Sequence, residues 1–326
     1  MAGPRKVSPR DIAVGEYAIK HGIEAAMSEY GMARSTISRR RREAKNALRE
    51  TDQPEVSGID ERTIQQIMDR YTPKELQLLA KGTILGEHTD DVMIHDFNGD
   101  VVTIGVLSDT HLGSKYTNPD HVQAAFDEFA GAEIDHLFMT GDITEGVSSR
   151  QGHPYECSHL GVDAQYHHAV QVLGQWDGCP IDMISGNHDR WSHKAVGHDV
   201  VERIADAIGA NYLGYDEGDV MIGAAKFRLW HGQDGSSYAH SYRLQKVVEA
   251  FTGGDKPHVL IAGHVHKMGY WMDRHVHCVS AGCIQKQTRW MRGKRLAAHA
   301  GFWILEATLN EKGVAHLATE WFPFYQ

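Results

Sequence analysis

The chain has little cysteine, little proline and no long apolar run. Its four cysteines, Cys157, Cys179, Cys278 and Cys283, form no Cys-x-x-Cys pair, so a disulfide framework is not expected and reduced thiols in a cytosol are. Nine prolines and 41% hydrophobic residues in 326 exclude wholesale disorder and leave enough apolar surface for a sizeable core. No stretch approaches the roughly 18 to 20 consecutive apolar residues a membrane span needs. The opening Met1-Ala2-Gly3-Pro4-Arg5-Lys6 is not followed by the apolar core of a signal peptide. An unexported, cytoplasmic protein without membrane contact is therefore the expectation. What is abundant is histidine, 22 residues, and neutral imidazole is both a common metal ligand and a proton carrier near neutral pH.

Charge is distributed unevenly. Residues 1 to 50 hold 11 Lys+Arg against 6 Asp+Glu, a balance of +5, whereas the remainder holds 22 against 37, a balance of −15. A basic arm on an acidic body points to an acidic partner for the arm, nucleic acid above all, or simply to a solvated charged helix. Ser8-Pro9-Arg10-Asp11 is a capping-box spacing that opens a helix to about Lys20. Gly22 interrupts, a second helix is expected over Ile23 to Tyr30, and Gly31 supplies a turn before a third that begins at Ser35-Thr36-Ile37-Ser38. Helix, glycine turn, helix is the outline of a helix-turn-helix. Ser35, Thr36 and Ser38 would meet bases there, and Arg39, Arg40, Arg41 and Arg42 phosphates. Through AAMSEYGMARSTISRRRREA the segment resembles the helix-turn-helix of site-specific recombinases and small phage regulators. The same outline also serves an oligomerisation or partner-docking hairpin.

The expected organisation is a basic helix-turn-helix-like domain over 1–50, a linker with helices over 51–90, and a catalytic domain over 91–326. Thr51 to Gly58 is polar and turn-rich, and helical patterns resume at Ile59 to Tyr71 and after the capping box Thr72-Pro73-Lys74-Glu75. From Asp91 the pattern turns to strands. Val92 to Phe97 and Val101 to Leu107 flank Asn98-Gly99, a hairpin signal. Apolar runs at Ile134 to Met139, Ile181 to Ile184, Phe227 to Trp230 and Val259 to Ala262 then alternate with helical stretches near 121–131, 165–174, 200–208 and 238–252, which argues an α/β layered domain. Three closing runs, Val276 to Ser280, Phe302 to Ala307 and His316 to Trp321, suggest an antiparallel sheet.

The residues directly after each run carry the chemistry. Val101 to Leu107 leads into Ser108-Asp109-Thr110-His111, Ile134 to Met139 into Gly141-Asp142, and Ile181 to Ile184 into Gly186-Asn187-His188-Asp189. Phe227 to Trp230 leads into His231-Gly232, and Val259 to Ala262 into Gly263-His264-Val265-His266. Any one of these motifs recurs by chance. Five strands ending in metal-capable residues do not, because strand C-terminal ends form the ligand crevice of α/β sheets. Oxygen and imidazole ligands without thiolate suit Mn²⁺, Fe²⁺, Zn²⁺ or Mg²⁺. Asp109 and His111, like His264 and His266, sit two apart, so convergence on one ion requires a bend at the strand end.

The order D-x-H, G-D, G-N-H-D, H, G-H-x-H resembles the calcineurin-like metallophosphoesterases. The resemblance spans about residue 100 to the C-terminus and implies a four-layered α/β/β/α sandwich holding two divalent ions, most often Mn²⁺. By motif it implies Asp109, His111 and His266 on the first metal, Asn187, His231 and His264 on the second, and Asp142 bridging both. It makes His188 the catalytic histidine, oriented by Asp189. Arg190 and Trp191, directly after that motif, are candidates to contact substrate backbone and base. The histidines between Gly146 and Gly174, His153 among them, read as surface residues or as a loop over the crevice.

Within such a family the metal motifs do not choose the substrate; the basic arm favours a polynucleotide by raising its local concentration. The chain is also similar to phage and bacterial relatives of the double-strand-break repair exonuclease subunit, which implies a Mn²⁺-dependent DNA nuclease. It ends at Gln326 without the capping segments of those enzymes, so an ATPase partner is not expected, while an oligomer is compatible with the sequence. The alternative is a small-molecule nucleotide phosphodiesterase or phosphatase whose N-terminal helices serve assembly. The acidic body is awkward for a nuclease, and Arg289, Arg292 and Arg295 are expected to make the crevice positive.

Overall fold

A computed structural model describes residues 9–21, 23–32, 36–37, 40, 44, 92–97, 99–232, 239–252 and 255–324. The chain divides into Met1–Thr89 and Asp90–Gln326. In the first unit, α1 (Pro9–His21) and α2 (Ile23–Tyr30) bury Val14, Ala18 and Ala26 against Ile37, which lies in helical conformation with Thr36, Arg40 and Ala44. Gly31 adopts φ +61° and its amide donates to Met27 O at 2.9 Å, closing α2 as the sequence expects. Gly15 allows close packing: a Cβ there would meet the Arg40 carbonyl and Ala44 Cβ. Of the candidate DNA contacts, Ser35, Ser38, Arg39, Arg41 and Arg42 lie outside the described residues, as do the helices expected over 59–81. Arg40 is half-buried and donates to Met32 Sδ at 2.6 Å.

The second unit runs β1 (Met93–His95), β2 (Val101–Leu107), α3 (Pro119–Gly131), β3 (His136–Thr140), α4 (Val162–Leu173), β4 (Ile181–Ser185), α5 (Asp189–Val196), α6 (Val200–Ile208), β5 (Asn211–Tyr215), β6 (Glu217–Ile222) and β7 (Ala225–Trp230). It continues with α7 (Tyr242–Ala250), β8 (Val259–Ala262), β9 (Met268–Asp273), β10 (Val276–Ala281), α8 (Arg289–Lys294), β11 (Gly301–Asn310) and β12 (Gly313–Pro323). One sheet has the order β12-β11-β2-β3-β4-β5 and the other β1-β6-β7-β8-β10-β9. Strands β2 to β5 are parallel, as are β7, β8 and β10.

Period-two alternation divides each central strand between two cores. From the first sheet, Leu137, Met139 and Met183 pack under Phe126, Phe129, Leu173 and Ile204 of the helices. Phe138, Ile104 and Ile184 face Phe227, Leu229 and Ile261 of the second sheet, whose other face takes Leu244 and Val248 of α7. The result is helix, sheet, sheet, helix. Local caps agree with the sequence: Asn118 accepts from Asp120 N ahead of α3, with Pro119 at its first position, and Asp199 accepts from Val201 N ahead of α6.

Two expectations are corrected. The segments flanking Asn98-Gly99 do not form a hairpin: β1 pairs in parallel with β6, and β2 lies in the other sheet, with both its edges taken by β11 and β3. The chain therefore passes from one sheet to the other between them. The three closing runs do not make one sheet either; β11 and β12 pair antiparallel, but β10 is buried beside β8.

The Phe138 and Phe227 rings meet edge to face at 5.7 Å across the two sheets. Replacing Phe138 with Ala should cost about 3–5 kcal/mol, read as a lower urea midpoint with an unchanged denaturant slope.

Candidate dinuclear metal centre

All five motif segments leave their strands at the same edge. The bend that convergence requires is made by backbone strain: among the described residues ten non-glycines have positive φ, and Asp109, His111, Asp142, His264 and His266 are five of them. Each gives up the β region for a left-handed turn that L-residues seldom adopt. The ladder continues through the turns, with Asp109 N donating to Gly141 O at 3.1 Å and His111 N to Asp142 O at 2.9 Å. Gly263 precedes the last pair because any side chain there would strike Ser108 Oγ at 2.5 Å and Thr140 O at 2.7 Å.

The side chains then converge in two overlapping groups. His266 Nε2 lies 3.2 Å from Asp109 Oδ1 and 3.1 Å from His111 Nε2. His111 Nε2 is 3.6 Å from Asp142 Oδ2. That same oxygen is 3.2 Å from His231 Nε2, which is 3.2 Å from Asn187 Oδ1, and His264 joins Asp142 and His231 in a cluster able to hold a cation. Asp142 is thus shared by both groups. The first backbone amide after Asn187, that of His188, donates to its other oxygen, Oδ1, at 2.8 Å.

The donor set fits divalent ions. His231 Nδ1 donates to the Thr140 carbonyl at 2.7 Å, which directs Nε2 at two oxygens that can only accept. Burial opposes charge on His231, yet Asp142 beside it lifts its pKa to about 9. Burial likewise works to raise Asp109, and His266 overrides it, holding the carboxyl down to about 2. These carboxylates require positive charge at this spot, and a cation supplies it with better geometry than imidazolium protons.

Sequence reasoning missed Glu145, the support of this centre. It is buried, and its Oε2 lies 3.2 Å from His111 Nδ1, which places a carboxylate behind that candidate ligand as in other metal-site histidines. Glu145 is held in turn by His153 Nε2 at 3.0 Å and Gln285 Nε2 at 2.8 Å. His153 is accordingly a buried residue and not a surface or crevice histidine. The available signal was an acidic residue three positions after Asp142 in a stretch with no other charge before Arg150.

The role expected of Asp189 is also corrected. Its oxygens accept from the amides of Ile143, Thr144 and Gly186 and from the Thr144 hydroxyl, tying α5 to two motif loops. His188 is oriented instead by the Glu145 carbonyl, which accepts from its Nδ1 at 2.8 Å; the residue also groups with His111 and Asp142 in a third cluster able to hold a cation. Burial lowers His188 to about 4. Trp191 backs that ring, with centroids 3.9 Å apart. Arg190 pairs with Asp216 and lies over Tyr215, so its charge is compensated at the crevice rim.

The sequence profile described as the calcineurin-like phosphoesterase superfamily domain matches residues 102–301. The chain belongs to this superfamily. Calcineurin-like phosphoesterases hydrolyse phosphate esters with divalent metals, and the fold and donor clusters accord with that membership. Curated relatives include the DNA polymerase II small subunit of Halobacterium salinarum, 26% identical over 225 residues, covering 57% of this chain and 44% of the relative. That of Methanothermobacter thermautotrophicus is 23% identical over 237 residues, covering 58% and 49%. The chain spans about half the length of the curated relatives it matches. A solved archaeal phosphodiesterase aligns at 19% identity over 68% of this chain and 100% of its own, with a TM-score of 0.41. No helix among the described residues is long and apolar enough to cross a membrane.

Glu145→Gln keeps an acceptor for His111 but turns an amide donor toward groups that already donate. It should weaken metal retention about 10–100-fold, measured by competition with a chelator; unchanged retention would remove Glu145 from the centre.

Proposed function

We propose that this phosphoesterase is a dinuclear-metal nuclease that hydrolyses DNA phosphodiesters, Mn²⁺ being its working ion. Asp109, His111 and His266 would hold one ion and Asn187, His231 and His264 the other, with Asp142 placed to serve both. When bound, such a pair supplies Lewis-acid charge to phosphoryl oxygens and lowers the pKa of a water. The protein's own contribution is proton handling and orientation. His188 Nε2 faces the site while Nδ1–H stays on the Glu145 carbonyl, so one tautomer is imposed. An entering phosphodiester anion raises the pKa that burial has depressed, as Asp142 already does in part. The proton gained at Nε2 is then available to the leaving oxygen. Trp191 and the Glu145 carbonyl prevent the ring from turning away, and Asp189 holds the two loops that carry Asp142 and His188 at fixed separation.

The single observation that carries the hydrolytic reading is the convergence of five strand-end motifs on Asp142. DNA as substrate is supported by the basic balance of residues 1–50 and by the similarity to DNA polymerase small subunits. The test is hydrolysis of end-labelled duplex and single-stranded DNA with Mn²⁺, with a cyclic dinucleotide alongside. Cleavage of DNA supports the reading, whereas turnover of the dinucleotide alone reduces it to a small-nucleotide phosphodiesterase. In the same assay His188→Ala should lower kcat about 10²–10⁴-fold with metal content retained; loss of metal would make His188 a ligand and not the acid.

A further inference from the structure

Between Asp273 and Glu306 the chain carries six Lys+Arg and no Asp or Glu, within a body whose overall balance is −15. Four of these cations, Arg289, Arg292, Lys294 and Arg295, lie on α8 and the residue after it, and all are exposed. None is paired with a carboxylate among the described residues. Arg289 stands at the helix's first position, where the dipole disfavours a cation, and repels Arg292 at i,i+3, whereas Arg292 and Lys294 in the last turn complement the dipole. Trp290 is 47% exposed among them, while Met291 anchors the helix in the body at 5%.

The segment that carries the cluster is anchored at the metal centre, because both of its feet are tied to the backbone of candidate ligands or their neighbours. At the entry, Ile284 N donates to the carbonyls of Ser108 and Asp109 at 3.2 Å, and Gln285 N to Asp109 O at 3.3 Å. Gln285 Nε2 also reaches Glu145 at 2.8 Å. At the exit, His299 N donates to His266 O at 2.7 Å. The return leg also lines an open cavity of about 540 Å³ with Met268, Trp321 and Phe324.

We propose that residues 283–299 form the seat for the single strand flanking the scissile phosphodiester, with Arg289, Arg292, Lys294 and Arg295 on its phosphates and Trp290 under a base. Cations interleaved with an aromatic are the features that bind single strands without sequence readout. The proposal rests on the DNA reading and deepens it by locating the substrate path on the Asp109–His266 side of the centre.

The test is the full-length triple variant Arg289→Ala/Arg292→Ala/Arg295→Ala beside the matching triple Lys variant, with Mn²⁺ and a 20-nucleotide single strand. The Ala triple should raise KM at least 10-fold with kcat within about twofold, and should flatten the dependence of log affinity on log salt by about 2, roughly 0.7 per lost contact. The Lys triple should recover most of both. A KM change under twofold in the Ala triple, or a fall in kcat alone, would overturn the seat. Fluorescence-anisotropy binding of the same oligonucleotide separates the two claims. If the wild type cleaved only small nucleotides, the nuclease reading would fall, yet oligonucleotide binding lost in the Ala triple would still uphold the seat. Binding unaffected by the triple would overturn the seat in either case.

Discussion

The structure of the catalytic unit depends on one buried carboxylate, that of Asp142. Its Oδ2 faces His111 and His231 at 3.6 and 3.2 Å, its Oδ1 accepts the His188 amide, and its carbonyl accepts the His111 amide. Burial disfavours the charge, but the surrounding imidazoles win and hold its pKa well below the ordinary value. A charge so placed is tolerable only if cations share the space. Gly186 lacks a side chain for the same reason: a Cβ there would collide with Asp142.

Strain and support distribute around that carboxylate. Left-handed turns at five candidate ligands cost stability that the ladders of β2, β3, β4 and β8 on either side must offset, which explains why the turns sit at the ends of the most buried strands. Behind them, Glu145 links His111 to His153 and Gln285, and its carbonyl sets His188. One residue thereby faces a candidate ligand with its side chain and holds His188, the proposed proton donor, with its backbone. The basic segment 283–299 begins at this network through Gln285, so the surface suited to polyanion binding and the centre suited to hydrolysis share a support.

Much of this was legible in the sequence because apolar runs report central strands and the residues after them report the sheet edge. The run Val259–Ala262 coincides with β8 and Val200–Ile208 with α6, each being fully committed to one core. The strands β5, β6 and β9 were not read. All three mix polar and apolar residues, β9 alternates between half-buried and exposed positions at a sheet edge, and no periodicity separates such a strand from a loop. Asn98-Gly99 signalled a break between two strands but not their partners, since pairing depends on which edges remain free. Glu145 and His153 escaped because spacing shows which residues come after a strand and not which carboxylate lies behind an imidazole; Asp189 was misread because adjacency in sequence to His188 does not place it beside that ring.

The central claim is that Asp142 joins two cation sites while His188 belongs to neither. Crystals of the full chain grown with Mn²⁺ and measured at the manganese absorption edge test it directly. Two anomalous peaks per chain are expected, both within bonding distance of Asp142, one among Asp109, His111 and His266 and the other among Asn187, His231 and His264. A single peak, or one ligated by His188, would contradict it.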